Sequence, residues 1–176
     1  MKVFIGADHG GFPLKEFLKE RLGKEHEIVD LGCSSGESCD YPDFGKKVAE
    51  AVAESNRKQE KAEESSQGQI AGRAAESREK AFGILCCGTG IGMSLAANKV
   101  KGIRAAVVYD EFTARMAREH NNANVMCIGG RCTGKETALK LAEIFLGMGF
   151  DGFLEGGKRH QRRVEKITGI EKEYFK

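Results

Sequence analysis

The stretch Gly83-Ile84-Leu85-Cys86-Cys87-Gly88-Thr89-Gly90-Ile91-Gly92-Met93-Ser94 sets an apolar run, two thiols and a glycine-rich turn directly before a helix-period segment. A thiol at that junction can act as a base or a nucleophile. The turn's backbone N–H groups, at a helix N-terminus, hold an anion, either a phosphate or the charge developing on a substrate oxygen. The same placement favours a thiolate over a thiol. Consecutive strand residues point to opposite faces, so only one of Cys86 and Cys87 can face the turn. A plain tight turn is the bland alternative. Met93 stands where a dinucleotide fingerprint needs its third glycine, and no P-loop Lys-Ser/Thr pair follows, which disfavours a nucleotide-dependent oxidoreductase.

Three other groupings could carry chemistry. Asp8-His9-Gly10-Gly11 offers an acid and an imidazole beside glycines that let a ligand approach the backbone; the bland reading makes Asp8 a helix cap and His9 incidental. His120-Asn121 ends a polar helix, where a lone His is commonly a dipole partner, and Asp110-Glu111 reads as that helix's N-terminal cap. In Lys158-Arg159-His160-Gln161-Arg162-Arg163, Arg159 and Arg163 lie four apart on one helix face, a geometry for gripping a phosphate. The competing reading is a solvated basic face.

These residues need a scaffold. Short apolar runs alternate with helix-period segments, the pattern of β-α units around a parallel sheet. Strands are expected at Val3–Ala7, Glu27–Leu31, Phe82–Cys87, Arg104–Val108 and Asn124–Ile128. Helices are expected from Pro13, from about Phe44, from Ile91, near Glu111–Glu119, over Lys135–Leu146 and in the basic tail, about 156–170. Leu14, Phe17, Leu18 and Leu22 mark one buried stripe. The fold class is α/β, a three-layer α/β/α sandwich with a five-stranded parallel sheet (Rossmann-like). Ligands bind at the carboxyl edge of such sheets.

The segment 55–80 departs from this pattern. Six Lys or Arg and five Glu accompany just one large apolar residue, Ile70, too little to bury as a core element. Its Ala and Glu permit a solvated extension of the preceding helix, so a protruding helix-plus-loop or a mobile insertion is expected, within a single domain over 1–176.

Bulk properties narrow the function. A formal net charge of +2 and a basic tail without interleaved aromatics disfavour nucleic acid. No apolar run approaches membrane-spanning length, and the N-terminus meets Asp8 too early for a secretory signal. The six cysteines include no C-x-x-C pair, so no zinc site is expected, and reduced thiols in a cytoplasmic protein are.

Taken together, the chain resembles the ribose-5-phosphate isomerase B family, which includes the galactose-6-phosphate isomerase subunits. The resemblance is carried by Gly6-Ala7-Asp8-His9-Gly10-Gly11, Asp40-Tyr41-Pro42, Cys87-Gly88-Thr89-Gly90-Ile91-Gly92, Ala96-Ala97-Asn98-Lys99 and Gly102-Ile103-Arg104-Ala105. It continues through Arg118-Glu119-His120-Asn121, Asn124-Val125, Gly129-Gly130-Arg131 and Arg159-His160-Gln161-Arg162-Arg163-Val164. It implies a metal-independent aldose–ketose isomerase of the pentose phosphate pathway that needs no cofactor. By this resemblance Cys87 is the base that moves a proton between C1 and C2, and Gly88, Thr89, Gly90, Ile91 and Gly92 hold the oxyanion. His120 opens the furanose ring, Asp8 and Tyr41 contact the sugar, and Asn121 and Arg131 bind substrate. His9, Arg159 and Arg163 take the phosphate. The resemblance further implies sites shared between subunits of a homodimer or homotetramer. The rival readings are a six-carbon sugar-phosphate isomerase, of the allose or galactose 6-phosphate type, and a non-catalytic phosphosugar-binding subunit.

Overall fold

The computed structural model describes residues 1–65 and 80–174, with the side chains of 63–65 set aside. Strands β1 (Lys2–Ala7), β2 (Glu27–Asp30), β3 (Phe82–Cys87), β4 (Ala105–Val107) and β5 (Val125–Gly129) form one parallel sheet in the order β2-β1-β3-β5-β4. Helices α1 (Phe12–Leu22), α4 (Glu111–Glu119) and α5 (Lys135–Gly147) cover one face. Helices α2 (Tyr41–Ser65) and α3 (Ile91–Ala97) cover the other. Helix α6 (Lys158–Tyr174) ends the described chain after two short 3-10 turns.

Alternation along β3 builds both cores. Ile84 and Cys86 pack with Leu14, Leu18, Met126 and Phe145, whereas Leu85 and Cys87 pack with Val48, Val52 and Met93. Each fully buried Leu or Ile among these contributes about 1.5–3 kcal/mol. After β1 the chain steps outward to β2 and then returns to β3 on the other side of β1. That reversal opens a crevice between the carboxyl ends of β1 and β3.

Several boundaries differ from the sequence expectation for identifiable reasons. Helix α2 begins at Tyr41 rather than Phe44, because Pro42 occupies its first turn, where a missing N–H costs nothing. It runs on to Ser65, so the first part of the polar segment 55–80 is helical, and 66–79 lie outside the described residues. Strands β4 and β5 start one residue late, at a point where Asn124 keeps its backbone bonds to Arg104 and Gly83 and its side chain adds two more. Its Oδ1 accepts the Arg104 N–H at 2.8 Å and its Nδ2 donates to the Gly102 carbonyl at 2.8 Å. Asp110 is the cap its position suggests: it accepts the Thr113 N–H at 2.6 Å, and Thr113 Oγ1 accepts the Asp110 N–H at 3.2 Å. Among the described residues no helix is long and apolar enough to cross a membrane.

Candidate active site

Cys87 is the last residue of β3, and its side chain is 4% exposed. Its Sγ accepts the Gly90 N–H at 3.1 Å, so the sulfur sits within the glycine turn. Cys86 points to the opposite face with no exposure, and burial, followed by the neighbouring Cys87, pushes its thiol far up. The thiol at the turn is therefore Cys87. Gly90 has φ 81°, and a Cβ there would lie 3.1 Å from the Ile128 backbone. Only glycine fits a left-handed residue pressed against β5 in this way. The exposed Thr89 accepts the Ile91 N–H at 3.4 Å through Oγ1.

Two neighbouring loops clamp this turn. The Asp8 N–H donates to the Cys86 carbonyl at 3.3 Å, and one carboxylate oxygen of the buried Asp8 accepts the Gly11 N–H at 3.0 Å. This bond tightens the turn ahead of α1, but the helix's N-cap is Gly11 and no side chain caps it, so Asp8 is not the cap that the bland reading makes it. His9 is not incidental: its Nδ1 accepts the Cys39 N–H at 3.2 Å, so a neutral ring carries its proton on Nε2. On the other side, the Gly130 N–H donates to the Cys87 carbonyl at 2.7 Å and the Arg131 N–H to the Gly88 carbonyl at 3.1 Å. The Arg131 side chain lies along Gly88, where a Cβ would be 3.5 Å from its Cδ, and the Tyr41 ring lies on Gly92. One edge of the sheet thus assembles Asp8, His9, Tyr41, Cys87, the Gly88–Gly92 turn and Arg131.

His120, Asn121, Arg159 and Arg163 are elsewhere. His120 is the C-cap of α4, the helix that returns from the carboxyl end of β4 to the start of β5. The register pairs Gly83 with Val125 and Cys87 with Gly129, so the start of β5 lies four residues below Cys87. At ~3.3 Å per residue that is a drop of about 13 Å. At this amino edge the His120 ring stacks on His160, centroids 3.9 Å apart and planes 12° from parallel. His160 is 4% exposed. Burial, then the charges of His120, Arg159 and Arg163, hold its imidazole below the ordinary range. Arg159 and Arg163 are exposed one turn apart on α6, and Asn121 is exposed beside His120.

His160 and Asp151 were not singled out from the sequence. The signal for His160 was its place between two arginines that share a helix face. Glu119, His120 and Asp151 bring donor atoms within 4.8 Å of one another, a set that could take a cation. Cavities of about 660 and 450 Å³ open at the same edge, both bordered by Arg118 and Asn122.

A family model described as Ribose/Galactose Isomerase matches residues 3–63 and 59–167. The chain is similar to the ribose-5-phosphate isomerase B of Escherichia coli, 40% identical over 171 residues that span 97% of this chain and 96% of that protein. It is also 40% identical over 147 residues to the galactose-6-phosphate isomerase subunit LacB of Clostridium acetobutylicum, covering 83% of this chain and 72% of the other. Among solved structures, ribose-5-phosphate isomerase B of Clostridium thermocellum superposes with a TM-score of 0.80 at 43% identity, covering 99% of both chains. The type B ribose 5-phosphate isomerase of Trypanosoma cruzi gives 0.77 at 41% identity, covering 99% of this chain and 100% of that one. A thiol held in a glycine turn at the carboxyl edge of a parallel sheet, on a chain with this family match over nearly all its length, belongs to the ribose/galactose isomerase family.

Proposed function

We propose that the protein interconverts ribose 5-phosphate and ribulose 5-phosphate through an enediolate, without a metal, as a step of the pentose phosphate pathway. The observation that carries the reading is the Cys87 sulfur held by the Gly90 N–H inside the 88–92 turn. The proton to be removed lies next to a carbonyl, so the reaction needs a positioned base and donors for the forming oxyanion. Cys87 takes the proton from C2 of the open-chain aldose, and the turn amides with Thr89 hold the oxygen at C1. The same sulfur returns the proton to C1 while the hydroxyl proton of O2 passes to O1, which leaves the carbonyl at C2. Asp8, Tyr41 and Arg131 flank the sugar, and His9 takes part of the phosphate.

His120 opens the furanose ring, and Asn121, Arg159 and Arg163 complete the site, from a second copy of the chain. Two observations support that arrangement. The start of β5, which follows His120 and Asn121, lies about 13 Å down the sheet from Cys87 at ~3.3 Å per residue, and α6, which carries Arg159 and Arg163, packs at that end through the stack of His160 on His120. Ile91 and Leu95 on α3, and Tyr109 and Phe112 after β4, are each more than half exposed, apolar side chains suited to a partner. A homodimer, or a tetramer built from such dimers, follows.

The LacB relative favours one second reading, a six-carbon sugar phosphate as substrate. The test is turnover of ribose 5-phosphate, allose 6-phosphate and galactose 6-phosphate in excess EDTA. Pentose turnover supports the proposal, preference for a hexose phosphate supports the second reading, and no turnover by folded protein points to a binding subunit. Cys87→Ala should abolish solvent deuterium incorporation at C2 while substrate still binds. Retained exchange in that variant rejects Cys87 as the base.

A further inference from the structure

Cys33 and Cys39 lie on the loop between β2 and α2 and take no part in the chemistry above. The Cys33 end is pinned. Its N–H donates to the Ala7 carbonyl at 2.9 Å, and its carbonyl accepts Lys15 Nζ at 2.7 Å. Lys15 is itself 1% exposed and bonds both carboxylate oxygens of Asp30, at 3.0 and 2.8 Å. The Cys39 end is less enclosed: residues 34–38 are exposed and Cys39 is half-buried, tied through its N–H to His9. The loop folds back so that the two thiols meet, and this contact joins burial in raising the Cys33 thiol. The N–H of Cys39 is also the donor that fixes His9 Nδ1, at 3.2 Å.

We propose that Cys33 and Cys39 are a redox modification site, forming a reversible intraloop disulfide that releases His9 from its hydrogen bond and weakens phosphate binding. This rests on the reading of His9 as a phosphate ligand. The oxidant is a low-molecular-weight disulfide. The more accessible Cys39 thiolate attacks one of its sulfurs, expelling one thiolate and leaving a mixed disulfide. Cys33, whose thiol is raised by burial and by Cys39 and only partly lowered by the Lys15 charge, then gives up its proton, attacks the Cys39 sulfur and expels the second thiolate. Two protein thiols lose two protons and two electrons, and the small disulfide becomes two thiols.

Bond formation draws the sulfurs to about 2.05 Å. Cys33 is held on both sides by Ala7 and Lys15, so the Cys39 end travels and its N–H leaves His9. The coupling is therefore mechanical, through the backbone.

The test treats the whole protein with oxidised glutathione, blocks free thiols with N-ethylmaleimide, and weighs the tryptic peptide 25–46, which contains both cysteines. The expected peptide lacks two hydrogens, resists alkylation and reverts with dithiothreitol. The oxidised enzyme should show KM for ribose 5-phosphate raised about fivefold or more, as expected for loss of a hydrogen bond to a charged ligand's partner, with kcat changed less. Cys39→Ser, which keeps the backbone donor, should match the reduced enzyme and ignore the oxidant. A fully alkylated peptide, or a disulfide that leaves KM unchanged, overturns the proposal. Reduced protein without turnover would instead fail the isomerase reading, and the peptide mass would still decide whether the bond forms.

Discussion

Cys87 and His120 lie at opposite edges of one parallel sheet, the first ending β3 and the second ending the helix that leads back to β5. Strand polarity dictates this. A loop after a strand is at the carboxyl edge, and the end of the following helix is at the amino edge. One chain therefore carries two separate groupings, a glycine turn with its thiol and an imidazole–guanidinium cluster.

The glycine turn should tolerate no side chain at position 90. Gly90 combines φ 81° with a Cβ position 3.1 Å from the Ile128 backbone. Gly90→Ala is expected to cost at least about 1–2 kcal/mol in denaturant unfolding, the penalty of a left-handed alanine. It should also depress kcat, because the N–H that holds Cys87 Sγ shifts. An unfolding midpoint and kcat equal to wild type would show the turn to be slack.

Arg163 is exposed on α6, one turn from Arg159, and its proposed role is to grip the phosphate. Arg163→Ala should raise KM for ribose 5-phosphate about tenfold or more, the loss of a charge-assisted hydrogen bond, with a smaller fall in kcat. Steady-state kinetics decide it. A fall in kcat with unchanged KM removes Arg163 from the grip.

The pH dependence of stability should carry the signature of His160. Its imidazole is held below its ordinary value of 6.5, first by burial and then by the charges of His120, Arg159 and Arg163. The folded protein thus binds fewer protons than the unfolded chain between that lowered value and 6.5, so stability falls as pH drops through this window. Urea midpoints measured from pH 7.5 to 5 should decline, and His160→Gln should flatten the decline. An equal slope in the variant assigns the effect to other groups.

Much of this was legible in the sequence because its signals are local. The glycine-bounded apolar run gave β3 at Phe82–Cys87, and the acid before Glu111 marked the start of α4. Alternation told that only one of Cys86 and Cys87 could face the turn, though periodicity could not say which; packing against α2 and α3 decides it. The start of α2 was missed because Tyr41-Pro42 reads equally as loop and as a helix's first turn. Strand order, with β5 between β3 and β4, depends on long-range pairing that no local pattern encodes. The separation of His120 from Cys87 could have been foreseen, since a residue ending the helix of a β-α unit must lie at the amino edge. The stacking of His160 on His120 joins α6 to α4 across a loop and leaves no periodic trace.

The central claim, that the sulfur of one copy works with the imidazole of another, is tested most directly by mixing two inactive variants. Cys87→Ala and His120→Ala are each expected to be inactive alone. After co-refolding at equal amounts, random pairing in a two-fold dimer should restore about a quarter of wild-type turnover of ribose 5-phosphate, since half the dimers are mixed and each holds one intact site. A mixture that exchanges subunits yet stays as inactive as its components would contradict the account.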